Sequence, residues 1–96
     1  MDVKQLTIGI QQAAAIHLDL TKQLDNDLFN HISYVANQSL LILKKEGLDN
    51  DSRIKIGKML WRLYLVIGAY NKKREDVTLK GILDELQNFL AVFTGS

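Results

Sequence analysis

The sequence predicts an all-α, single-domain antiparallel four-helix bundle over residues 1–96, and three observations carry that prediction. None of the 96 residues is proline, so the strongest breaker of helices is missing throughout. Apolar residues recur at spacings of three and four in four separate segments, the period of an amphipathic helix face. Short polar breaks rich in Asp, Asn and Gly separate these segments, and a short connection brings the next helix back alongside the last. No strand signal competes.

The first helix is expected over about 3–24, because Val3, Leu6, Ile10, Ala13, His17, Leu20 and Leu24 fall along one stripe. Asp25-Asn26-Asp27 then offers side-chain oxygens to the free N–H groups of a helix start, which places a second helix over about 27–46. Its buried face is Leu28, Ile32, Val35 or Ala36, Ser39 or Leu40, and Leu43. Lys44 and Lys45 suit its last turn, where the macrodipole favours positive charge. Gly47 suits a left-handed cap, with Leu48 folding back toward Leu43.

Asp49-Asn50-Asp51-Ser52 is a second cluster of cap residues, and Ile56, Leu60, Leu63, Ile67 and Tyr70 follow at helical spacing, predicting a third helix over about 51–71. Lys72-Lys73-Arg74-Glu75-Asp76 reads as a charged connection. Thr78 or Asp76 then caps a fourth helix over about 78–93, whose stripe is Leu79, Ile82, Leu83, Leu86, Phe89, Leu90 and Phe93.

The third helix carries more apolar surface than one core face needs. At about 100° per residue, Ile56, Met59, Leu60, Leu63, Ile67 and Tyr70 form one face, while Ile54, Trp61, Tyr64 and Leu65 form another. Gly57 and Gly68 flank Trp61 on the second face, each costing about 1 kcal/mol relative to alanine in a helix interior. Two readings stay open. Either the glycines admit a closely packed neighbour, or the face around Trp61 is an interaction groove. Lys55, Lys58 and Arg62 line the adjoining edge at spacings of three and four.

Charge and composition narrow the function classes. The net charge of +1 is far from the basic balance of a nucleic-acid-binding domain, so no nucleic-acid partner is expected. Before residue 51 there are four basic against six acidic residues, and after residue 50 there are eight against five, so the positive field belongs to the C-terminal half. Lys72, Lys73 and Arg74 extend it toward an anionic partner or the inner leaflet of a membrane. The absence of cysteine excludes disulfides and thiolate sites and fits a cytoplasmic location, peripheral to the inner membrane face where those charges meet it. The N-terminus lacks the basic start and apolar run of a signal peptide. The longest apolar block, Met59 to Tyr70, is interrupted by Arg62 and falls well short of the roughly 20 residues of a transmembrane helix.

No catalytic constellation emerges, and neither an enzymatic activity, a cofactor nor a metal is expected. His17 sits on the core stripe, His31 has no better case, and neither belongs to a Glu-x-x-His pair of the di-iron bundles. The first half of the chain lacks the arginines that small helical chorismate mutases aim at a dicarboxylate. Neither histidine is followed by the lysine and glycine of phosphotransfer domains. Asp51-Ser52 matches the acyl carrier attachment dipeptide, but a basic helix follows it where carriers have an acidic one, so Ser52 reads as an ordinary helix-start residue.

The stretch from Met59 to Phe89, with Lys58 in front, is similar to the third helix, basic loop and Leu-rich fourth helix of the immunity proteins for pediocin-like (class IIa) bacteriocins. Chain length, lack of cysteine and four amphipathic helices resemble that bacterial family as well. The resemblance implies a non-enzymatic protein that protects its producer by associating with the bacteriocin-bound membrane receptor, the mannose phosphotransferase permease. It also implies recognition through the C-terminal half, which here points to Trp61, Tyr64, Lys72, Lys73, Arg74 and the end of the fourth helix. The alternative is a helical adaptor or regulatory subunit acting through a homodimer or a partner helix.

Overall fold

Four α-helices make up most of residues 3–69 and 77–93, the part of the chain that the computed structural model describes: α1 (Val3–His17), α2 (Gln23–Leu43), α3 (Asn50–Gly68) and α4 (Val77–Ala91). No strand occurs among the described residues, and the helices pack as the expected bundle.

The packing order is not the sequence order. Helix α1 lies against α2 and α3, α4 lies against α3 and α2, α2 and α3 barely touch, and α1 and α4 do not meet among the described residues. The helices therefore stand around the bundle as α1, α2, α4, α3, and the connection from α2 to α3 crosses one end along a diagonal. Lys45 Nζ donates to the Phe93 carbonyl at 2.7 Å, bringing the C-terminal ends of α2 and α4 to the same end. The Lys55 ammonium lies 4.5 Å from the Phe89 ring centroid, which sets the start of α3 beside the end of α4. Successive helices thus run antiparallel, while α2 and α4 pack side by side in the same direction.

The core follows the periodic stripes. Ile10, Ile32, Val35, Ile56, Leu60, Leu63, Ile67, Leu83 and Leu86 are fully buried, so every helix contributes one apolar face. Two hydroxyls share this interior without leaving a donor unpaired. Ser39 Oγ donates to the Val35 carbonyl at 2.8 Å, and Thr7 Oγ1 donates to the Lys4 carbonyl at 2.8 Å, each using the helix's own backbone as acceptor. Phe89 and Phe93, expected on the buried stripe of the fourth helix, are half-buried at its margin and meet edge to face at 5.3 Å.

The first connection departs from expectation. Helix α1 ends at His17 rather than near residue 24, and α2 begins at Gln23 rather than 27. Asp19 is the cause. Its Oδ1 accepts from the Thr21 N–H at 3.1 Å and from the Thr21 hydroxyl at 2.5 Å, a local ring that competes with the helix. The Asp25 carboxylate, expected as a cap, instead sits in the first turn of α2 and accepts from the Asp19 N–H at 2.7 Å, while Lys22 occupies the cap position with no side-chain bond. Leu18 closes the core at this end in place of the predicted residues. Leu20 is exposed, Leu24 is 83% exposed, and His17 is half-buried.

The other boundaries differ by a few residues. Helix α2 ends at Leu43 instead of 46, so Lys44 and Lys45 follow its last turn. Arg53 Nη1, from the first turn of α3, donates to the free Leu43 carbonyl at 2.8 Å and closes that end. Gly47 takes the left-handed conformation expected of it, with φ of +82°, and Leu48 packs against the core. Asp49 caps α3, its Oδ2 accepting from the Ser52 N–H at 3.0 Å. Hydrogen bonding from Ser52, through its side chain and its backbone N–H, holds the Asp49 carboxyl below its usual pKa. Helix α3 ends at Gly68 with Ala69 as its cap, not at 71, and α4 starts one residue before the predicted 78 and ends at Ala91, not 93. Tyr70, the proposed cap Asp76 and the connection holding Lys72, Lys73 and Arg74 lie outside the described residues, as does the side chain of Thr78.

Candidate functional site

Helix α3 is apolar on two opposite sides, and the bundle covers only one of them. Ile56, Met59, Leu60, Leu63 and Ile67 face the interior. Ile54, Trp61 and Leu65, which fall within about 40° of arc directly opposite, are 47%, 43% and 55% exposed. They form an outward ridge about 16 Å long at 1.5 Å of rise per residue. Lys58 and Arg62, both exposed, follow along one flank of it.

The reading in which Gly57 and Gly68 admit a closely packed neighbour is not what the bundle does. A Cβ built on either glycine meets nothing within 4 Å. The helical glycine that faces another helix is Gly9 of α1, whose Cβ would stand 4.0 Å from the Tyr64 ring, an ordinary contact distance. Four helices arranged in a ring give α3 two neighbours, α1 and α4, and both approach from the core side. Among the described residues, none covers the outward face.

Each residue singled out in the sequence has a distinct place. Trp61 stands on the ridge. Tyr64 is half-buried, packs against the core, and holds its ring 5.6 Å from that of Trp61 at a tilt of 51°. It therefore steadies the indole from below instead of presenting itself. Lys55 is exposed, but its ammonium rests over the Phe89 ring of α4, so it is not simply a solvated member of the basic edge. Arg53 is spent on the end of α2. The structure thus sets Trp61 beside Lys58 and Arg62 on the outward side of α3, with Tyr64 behind the indole toward α1. Lys72, Lys73 and Arg74 lie outside the described residues.

Among the described residues, no group of three His, Cys, Asp or Glu side chains gathers as a metal site, and no helix is long and apolar enough to cross a membrane. His31 Nε2 lies 2.7 Å from Gln87 Oε1, a contact joining α2 to α4. A shallow recess of about 180 Å³, below the size of ordinary ligand sites, is lined by Lys45, Glu46, Gly47, Leu48, Asp49 and Phe93 at the end of the bundle.

The Lys55–Phe89 contact and the role of Gly9 were not signalled in the sequence. Both depend on which helices become neighbours, and periodicity alone does not specify that. The chain matches no protein family, no curated protein and no solved structure at a significant level.

Proposed function

We propose that this chain is a non-enzymatic binding protein of the bacteriocin-immunity kind, protecting its producer by docking on the bacteriocin-bound membrane receptor, for which the mannose phosphotransferase permease is the candidate. The observation that carries the binding role is the exposed ridge of Ile54, Trp61 and Leu65, opposite the core and flanked by Lys58 and Arg62. Tryptophan and arginine are among the residue types most enriched at energetically dominant interface positions. Other apolar side chains, among them Ile16 and Leu24, are more exposed, but Ile54, Trp61 and Leu65 share one line on one helix beside basic residues, and that alignment is what marks the face. The immunity role itself is supported by the resemblance of the stretch from Met59 to Phe89.

The test is expression in a strain sensitive to pediocin-like bacteriocins. Wild-type protein is expected to protect. Replacing Lys72, Lys73 and Arg74 together by Gln should weaken that protection while leaving helix content intact. If the wild type protects against none of the bacteriocins tried, the immunity role falls and a helical adaptor becomes the better reading, to be checked by sedimentation for a homodimer and by affinity capture.

A further inference from the structure

We propose that the outward face of α3 binds an anionic lipid bilayer directly, the helix lying along the surface with Ile54, Trp61 and Leu65 at headgroup depth and Lys58 and Arg62 beside lipid phosphates. This rests on the reading above that the same face is the working surface, and it names the first thing that surface meets.

The ridge is convex. It is one side of a single helix standing opposite the core, and a Cβ built on Gly57 or Gly68 beside it meets nothing within 4 Å. A fluid headgroup layer moulds itself around such a ridge, whereas a protein partner must supply a matching groove. The composition also fits the interface. An apolar strip holding a tryptophan, edged by basic residues whose long stems reach sideways, is the pattern of helices that lie in the membrane surface. Charge selects the lipid: Lys58 and Arg62 beside the ridge outnumber the one acidic residue of α3, Asp51, which sits in the first turn, while Arg53 and Lys55 are engaged with α2 and α4.

A second copy of the chain fits less well. Two such faces packed antiparallel would bring the Lys58 and Arg62 pairs of both copies together, and a strip about 16 Å long on a helix about 10–12 Å across offers about 200 Å², small beside the roughly 800 Å² per partner that a stable dimer buries.

Trp61 is the chain's single tryptophan, so the proposed contact carries its own reporter. The experiment titrates the full chain with vesicles of phosphatidylglycerol mixed with phosphatidylcholine, and with vesicles of phosphatidylcholine alone, following Trp61 emission and flotation. On the anionic vesicles, a blue shift of Trp61, quenching by brominated acyl chains and co-flotation are expected. Each basic residue near such a surface contributes about five-fold in partitioning, so Lys58→Gln with Arg62→Gln should weaken binding about twenty-five-fold at unchanged circular dichroism. Leu65→Asn should weaken it too, with the charges intact. Absence of binding to anionic vesicles overturns the proposal, as does flotation with Trp61 emission unmoved, since contact would then run through another surface. Protection in cells without vesicle binding keeps the immunity role and makes an acidic protein the ligand of this face. Vesicle binding without protection does the reverse.

Discussion

Replacing Gly57 by alanine should make this protein more stable, by about 1 kcal/mol. Gly57 lies well inside α3, where glycine is less favourable than alanine by about 0.8–1.0 kcal/mol through backbone entropy and lost side-chain cover. A steric penalty would offset that gain, but the added Cβ has nothing within 4 Å to strike. In a domain of this size, 1 kcal/mol corresponds to about 4–8 °C in Tm. The measurement is urea denaturation followed by far-ultraviolet circular dichroism, with the midpoint expected to rise and the slope to stay constant. Gly81, in α4 and equally open, should respond in the same way, and the double variant should gain about 2 kcal/mol if the two sites act independently. A fall in stability for Gly57→Ala would refute the reasoning, because it would mean that a neighbour approaches α3 on the side described here as uncovered. The same variant also bears on function: a gain in stability accompanied by weaker vesicle binding would mean that a smooth backbone at Gly57 serves the ligand and not the fold.

Three further outcomes are expected. Leu86 is completely buried on α4, so Leu86→Ala should cost about 2–5 kcal/mol in denaturant titration, and a change below about 0.5 kcal/mol would place it outside the core. Asp49→Ala should lower the urea midpoint by freeing the Ser52 N–H at the start of α3. Because the folded carboxyl titrates below its ordinary value, this contribution is complete above the unfolded pKa and fades as the pH falls through the folded one, so wild type and variant should converge in stability in strong acid. Gly47→Ala forces a left-handed backbone on a residue with a Cβ and should destabilise by about 1–2 kcal/mol, detectable as a lower Tm, although open space surrounds the site.

How far the sequence reached can be judged from particular residues. The stripes of α2, α3 and α4 were legible because Ile32, Ile56, Leu60, Leu63, Leu83 and Leu86 repeat on one period and become the interior. The end of α1 was not, because Leu20 and Leu24 continue the same spacing by coincidence while Asp19 and Thr21, which break the helix, look like ordinary surface residues. Polarity at Asp25 was visible, but its use was not: a carboxylate able to cap its own helix reaches back instead to the Asp19 N–H. On α3 the sequence showed a second apolar face without saying whether it was covered. That depends on α2 and α3 standing on a diagonal, a relation that spacing along the chain does not encode.

That diagonal has a consequence for how the protein is made. Helix α1 packs on α3 as well as on α2, yet a whole helix and two connections separate α1 from α3 in the chain. While the ribosome is still extending the second half, Leu6, Ile10 and Ala14 have only part of their eventual cover, so the newborn hairpin of α1 and α2 carries bare apolar surface for a few seconds at about 5–20 residues per second. Neither hairpin closes its own interior. A cut within residues 44–49 should therefore release two pieces that are unstructured apart and regain helix when mixed. The bundle behaves as two interlocked halves that must wait for each other, and the six-residue diagonal strap keeps them at hand during the wait.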